Sequence, residues 1–267
     1  MKSRAAKIKI LPYISEYPAI NLLSDLKVGY GAASLKLSTE DAAMGLQQIA
    51  FWIRKARGVL PVYVKIGGPN ARNDIRQLVA LGADGLIAPM VESAYGLENF
   101  IEAFRTYTTP LQFGTLKKHI NVETVTAVRQ LDSILAHPLA AELDEITIGC
   151  SDLSKSMGLA VTHPEVVRMT EEVTRKTRER GIEVSFGGGV TPSNIDARLA
   201  RVLPNYFNTR VMTFRYDPAV VYRSAIRKAL EFELAMLALD RQEGFLSPEE
   251  ERSRALELKK RMDSAPL

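Results

Sequence analysis

Two acids carry the strongest chemical signal in this chain. Glu123 closes the run HINVE at 119–123, and Asp152 lies just past Ile146-Thr147-Ile148-Gly149. Both runs are rich in β-branched residues and read as buried strands, so both acids fall at strand ends. In a barrel of parallel strands, catalytic groups gather at the carboxyl ends. Two carboxylates on neighbouring strand ends can share a divalent cation, with water and substrate oxygens completing the octahedron that Mg²⁺ prefers. The plainer reading is that each acid opens the following helix, where the helix dipole favours negative charge.

Other residues suit the same setting. Lys65 ends the strand Val62–Ile66 and precedes Gly67-Gly68-Pro69-Asn70. It is a candidate to stabilise a developing oxyanion, or else a surface charge at a strand end. Glu40 and Asp41, in LKLSTED, read as the first turn of a helix; Glu40 is also a candidate base, with a metal-bound water as the other. Glu92 and Ser93 follow a strand at 85–90 and either start a helix or touch substrate. Gly187-Gly188-Gly189 either cradles a phosphate or makes a turn forced by packing. Arg210, expected inside a strand spanning 206–214, either binds a second anion or is a buried structural arginine. His163 is expected to shape a loop, and Cys150 to be a small buried residue.

The elements that must position these groups follow from the apolar pattern. Eight strands are expected, at 7–14, 33–37, 62–66, 85–90, 119–123, 145–149, 183–186 and 206–214, alternating with helices. That alternation predicts parallel strands with helical crossovers, and eight units favour a closed (β/α)8 TIM barrel. The length of 267 residues suits one such domain over the whole chain. Asp217-Pro218 reads as a helix start, followed by long helices over 219–241 and 248–262. This extended C-terminal segment, 217–267, exceeds what closing a barrel requires; it either packs on a neighbouring subunit or is a solvated tail. Glu250/Arg254 and Glu257/Arg261 stand at i,i+4 within it.

Composition bounds the partners. A net charge of +4 is mild, and no dense basic cluster interleaved with aromatics supports nucleic-acid binding. No apolar run is long enough for a signal peptide or a membrane span. A single cysteine permits no internal disulfide, so a reducing cytoplasm is the expected compartment.

The segments APMVESAYGLENF (88–100), INVETVTAV (120–128) and IGCSDLSKSMG (148–158), followed by His163-Pro164-Glu165-Val166, resemble the HpcH/HpaI aldolase and citrate lyase family in motif, order and spacing. The resemblance implies a divalent metal, most often Mg²⁺ with Mn²⁺ or Co²⁺ as alternatives. It implies carbon–carbon bond making or breaking on a 2-oxo acid such as pyruvate, or on a citryl- or malyl-type acyl thioester, and a homo-oligomer. Carried over by position, Glu123 and Asp152 are the metal ligands, Asn121 lies beside the oxo acid, and the amides of Ser151 and Asp152 bind the substrate carboxylate. Lys65 stands where the family carries arginine, and LKLSTED lacks the family's proton-transfer histidine; Lys36, Glu40 or Asp41 are the groups there that could stand in for it. A barrel that binds metal and oxo acid without turnover is the rival reading.

Overall fold

The computed structural model describes residues 18–263. Its strands are β1 (Ala32–Ser38), β2 (Val62–Lys65), β3 (Gly85–Ala88), β4 (Lys117–Val122), β5 (Glu145–Gly149), β6 (Glu183–Gly187), β7 (Tyr206–Asn208) and β8 (Met212–Arg215). They close in sequence order into one barrel. Helices α1 (Pro18–Tyr30), α2 (Leu46–Ala56), α3 (Arg72–Leu81), α4 (Ala94–Thr106), α5 (Pro110–Thr115), α6 (Val125–Arg129) and α7 (Leu131–Ala136) precede β5. Helices α8 (Cys150–Ser156), α9 (Pro164–Glu179), α10 (Ile195–Val202), α11 (Arg223–Gln242) and α12 (Pro248–Met262) complete the chain.

The TIM barrel holds, with one correction. The expected strand at 7–14 lies outside the described residues. The eighth strand comes instead from 206–214, which does not run through: β7 and β8 pair antiparallel, and β8 closes antiparallel on β1. The turn between them is fixed locally, since Thr209 N donates to Met212 O and Met212 N donates to Thr209 Oγ1. β1 through β7 are parallel, as expected.

Strand alternation divides the molecule into two interiors. One set of side chains, including Leu35, Val64, Ile120, Ile148 and Phe186, is fully buried in the apolar core. The other set faces the lumen. TIM lumens are usually filled by Val, Ile and Leu, but this one is polar. Ser185 Oγ donates to Glu145 Oε1 at 2.5 Å and accepts from Asn208 Nδ2 at 2.8 Å, and Thr213 Oγ1 donates to Asn208 Oδ1 at 2.7 Å. A buried polar network is tolerable when its members are paired, and these bonds tie β5, β6, β7 and β8 together below the barrel mouth.

Helix α11 packs against α1 and α12. Asp240 on α11 accepts from Trp52 Nε1 at 2.7 Å and Gln48 Nε2 at 2.8 Å, joining it to α2. Trp52 is core, as its sequence context indicates. Asp217-Pro218 does not open α11, which begins at Arg223. In α12 the Glu250 carboxylate caps the helix by accepting from Ser247 N, and the bridge to α11 is Arg241–Glu251 at 2.5 Å.

Candidate active site

A cavity of about 620 Å³ opens at the carboxyl ends of the strands. Glu123, Asp152, Asn121 and Ser151 line one wall, from β4, β5 and the segments that follow them. Lys65, Glu40, Asp41, Arg210 and Lys36 line the opposite wall. Glu123, Asp152, Asn121, Ser151, Lys65, Glu40, Asp41, Lys36 and Arg210 are therefore in one place, whereas Ser93 and Glu92 are not. Ser93 Oγ accepts from Gly96 N and caps α4, and it does not line the cavity. Glu92 is likewise engaged outside it, accepting a short hydrogen bond from Thr124 Oγ1.

Glu123 is 3% exposed. Its Oε1 accepts from Met90 N at 2.9 Å and its Oε2 from Asn121 Nδ2 at 3.2 Å. Burial pushes its pKa up; Lys65 and these two bonds pull it down, while the charge of Asp152 adds to the upward push. Gly149 makes the position possible. A Cβ there would lie 2.5 Å from Glu123 Cβ and collide with Oε2, so the carboxylate occupies space that only glycine leaves. Met90 holds a left-handed φ of 55°, uncommon for a non-glycine residue, while its amide is anchored on Glu123.

Asp152 lies in the first turn of α8 rather than in a loop, with Lys155 Nζ 3.2 Å from Oδ1. The glycine-rich segment answers the packing reading. Gly188 has φ +84°, and a Cβ there would lie 2.5 Å from Ser151 N and 2.6 Å from Ser151 Oγ. Its missing side chain lets the two segments approach this closely. Arg198 and Asn194 hold the carbonyls of Gly188 and Gly189, each at 2.8 Å.

The opposite wall is tied up in ion pairs. Lys65 Nζ is 2.6 Å from Glu40 Oε2 and 3.6 Å from Asp41 Oδ1. Burial lowers the Lys65 pKa, but the bond to Glu40 and the charge of Asp41 outweigh it and the net shift is upward. Glu40 and Asp41 do not begin a helix. Ser38 Oγ accepts from both of their amides at 3.1 Å, the chain turns, and α2 starts only at Leu46. Arg210 stands in the β7–β8 turn, not within a strand, with Nε 3.9 Å from Asp41 Oδ2.

Three cavity groups escaped their sequence signals. Met90 contributes an amide, which no residue type announces. Lys36 was only a substitute base; its signal was the alternation Ser34-Lys36-Ser38, which marks a polar inward face. Arg261, expected to pair along α12 with Glu257, donates to Val190 O at 3.3 Å and lines the cavity. His163 and His137 cap short-range turns through Nδ1, and His119 packs edge-on against Tyr63 inside the barrel. Cys150 is buried, and burial raises its pKa, so it is no nucleophile.

No group of three or more His, Cys, Asp or Glu side chains that could hold a metal ion occurs among the described residues. Two carboxylates, Glu123 and Asp152, line the same side of the cavity, a pair that would suit a hard cation keeping water and substrate oxygens. Two observations fit such a cation: Glu123 and Asp152 repel each other across the cavity wall, and Asn121 Oδ1 beside them is buried without a hydrogen-bond partner.

Fold and site together define a β/α barrel with an acid pair at adjacent strand ends. The HpcH/HpaI aldolase/citrate lyase family matches residues 41–190, and the chain belongs to that family. Among similar proteins are the 2-keto-3-deoxy-L-rhamnonate aldolases of Klebsiella pneumoniae and Escherichia coli K12. Both are 28% identical to it, over 59% and 58% of this chain and 66% and 65% of their own. The matched region thus spans slightly less than two thirds of those relatives. Solved structures of like fold include an HpcH/HpaI aldolase from Desulfitobacterium hafniense (TM-score 0.57, 20% identity, covering 70% of this chain and 79% of the other). The citrate synthase SbnG is another (TM-score 0.60, 20% identity, 85% and 90%).

Proposed function

We propose that this protein is a divalent-metal-dependent carbon–carbon lyase, an aldolase that acts on a 2-oxo acid through a pyruvate-type enolate. The observation that carries the reading is the pair Glu123 and Asp152 on one cavity wall, in a chain of this family whose curated relatives are aldolases. Glu123 and Asp152 would hold the cation, most often Mg²⁺, with Mn²⁺ or Co²⁺ as alternatives. When bound, it supplies Lewis-acid stabilisation of an enolate.

The chain's own residues do the rest. The Ser151 and Asp152 amides orient the substrate carboxylate, and Asn121 borders the oxo group. Lys65, held protonated by Glu40 and Asp41, places a fixed positive charge at the developing oxyanion. Glu40, expected as a base, serves instead as a counter-ion of Lys65. Arg210 and Arg261 add positive charge at the mouth for a second anionic group of the substrate.

No helix among the described residues is long and apolar enough to cross a membrane. A cytoplasmic homo-oligomer is the setting we propose, with the charged outer face of α12 against a neighbour. A particle of 29.6 kDa on sizing would refute the assembly.

The test is exchange of the pyruvate methyl protons in D₂O, followed by NMR with and without Mg²⁺ or Mn²⁺. Metal-dependent exchange that Glu123→Gln loses is the expected result. Full exchange in Glu123→Gln and Asp152→Asn would overturn the metal assignment. Tight metal binding with no exchange would point to a thioester donor or to a barrel that binds without turnover.

A further inference from the structure

An enolate needs a group that takes a proton from carbon and returns it. Most titratable groups at the cavity are already committed. Glu123 and Asp152 form the acid pair, Glu40 and Asp41 are held by Lys65, and no histidine lines the cavity. Lys155 is paired with Asp152 and its side chain is 77% exposed. Arginines do not release a proton in this pH range.

Lys36 stands apart. It sits on β1 between Ser34 and Ser38, on the strand's inward face, and lines the cavity. No hydrogen bond or ion pair joins its ammonium to any described residue within bonding distance, in contrast to Lys65. The charged groups around it come from every packed element. Lys65 lies on β2, Glu123 after β4, Glu145 on β5 and Asp41 after β1. Behind it a small chamber is lined by Arg210 of the β7–β8 turn, Glu233 and Asp240 of α11 and Arg254 of α12. Burial, then the charge of Lys65, lowers the Lys36 pKa to about 8, and the acids do not restore it. A lysine so placed exchanges its proton near neutral pH, while Lys65 keeps its own.

We propose that Lys36 is the proton acceptor and donor at the reacting carbon of the substrate. The inference rests on the 2-oxo acid reading. In the forward exchange step the C–H bond of the pyruvate methyl group breaks. Its electron pair passes into the enolate, ending on the 2-oxo oxygen, and the proton becomes the third N–H of the Lys36 ammonium. In the cleavage direction the neutral amine takes the proton of the substrate's 4-hydroxyl as the C3–C4 bond breaks and its electron pair passes into the enolate; the resulting ammonium then gives that proton to the enolate carbon, and the amine is restored.

The experiment is methyl exchange of pyruvate in D₂O with Mn²⁺, run on the full chain, on Lys36→Met and on Lys36→Ala. Pyruvate binding to the Mn²⁺-loaded protein is read separately by water-proton relaxation. Both variants should lose exchange by about 10²-fold or more while binding pyruvate within about twofold of the parent. In the parent, exchange should rise with pH and level off above about 8. That limb should vanish in the variants, and small primary amines should restore exchange to Lys36→Ala in proportion to free amine.

Lys36→Met exchanging at the parent rate, with Glu123→Gln inert, would overturn the role of Lys36 and leave the proposed function standing. Loss of pyruvate binding together with exchange, and no rescue by amines, would make Lys36 a binding cation and also overturn it. A parent that neither binds nor exchanges pyruvate would remove the 2-oxo acid reading itself, and the role of Lys36 with it.

Discussion

The two walls of the cavity are built on opposite electrostatic plans. On the β4–β5 wall, Glu123 and Asp152 repel each other, Asp152 meets only the exposed Lys155, and the buried Glu123 has hydrogen bonds but no contacting cation. On the β1–β2 wall, cation and anion meet directly, as Lys65 with Glu40 and Asp41, and Arg210 with Asp41. A buried carboxylate without a cation is costly unless something positive arrives. The first wall is therefore short of positive charge, and the second already holds its own. The difference teaches that the two lysines of the β1–β2 wall are not equivalent. Lys65 is stabilised as a cation, whereas Lys36 on the same wall is destabilised as one.

The largest way to break the contrast is Gly149→Ala. Its φ of −84° suits alanine, so the whole effect is the collision with Glu123. Displacing that carboxylate should lower metal affinity by about 10–100-fold and cost about 1–3 kcal/mol of stability. Mn²⁺ titration and denaturant unfolding check it, and an unchanged Mn²⁺ affinity would show that Glu123 is not a ligand.

Lys65→Met strips the second wall of its cation. Stability at pH 7 should fall by about 1–2 kcal/mol, since the pair is only partly buried, and Glu40→Gln in the same chain should recover part of the loss. Additive effects in that double-mutant cycle would mean that the Lys65–Glu40 contact at 2.6 Å carries no coupling.

Lys36→Met should act in the opposite direction. The unfolded lysine keeps its proton up to about 10.5, whereas the folded one releases it near 8. Between those values the unfolded chain binds more protons, so stability rises with pH; below 8 the charged lysine carries its full penalty. The variant should therefore be more stable than the parent at pH 7, by about 1–2 kcal/mol, and the gain should shrink toward pH 10.5. Urea unfolding at pH 7 and pH 10 reads the sign. A variant less stable than the parent at pH 7 would show that Lys36 is paired.

Ser93→Ala sharpens the border of the site with the smallest effect. Losing the cap of α4 should cost about 1 kcal/mol and leave methyl exchange unchanged. A loss of exchange would return Ser93 to the site.

The first wall was readable because it follows from local pattern. A β-branched run ending in an acid marks a strand end, and strand ends of a barrel converge whatever the intervening helices do. The second wall was less so. LKLSTED has the composition of a helix start, yet Ser38 turns the chain and presents Glu40 and Asp41 to Lys65. The segment 206–214 lacks the glycine or proline that usually marks a hairpin, so its fold-back at Thr209 was hidden. Arg210 thereby moved from a strand to a turn over the cavity. Lys36 could be placed on an inward face by alternation, but not ranked above Glu40 as a base. That ranking depends on which acids reach which lysine.

The sequence by itself determined the barrel class and the strand ends at or just before Glu123, Asp152 and Lys65, and it offered Gly187–Gly189 as either a phosphate cradle or a packing turn. These are properties of runs a few residues long, set by side-chain period, β-branching and the absence of a Cβ. Tertiary structure alone decided that β8 closes the barrel antiparallel, that Met90 lends its amide to Glu123, and that Arg261 reaches the mouth from the last helix. It also decided that one lysine is paired and the other is not. Charge states are sums over groups far apart in the chain, and only folding fixes the distances in those sums.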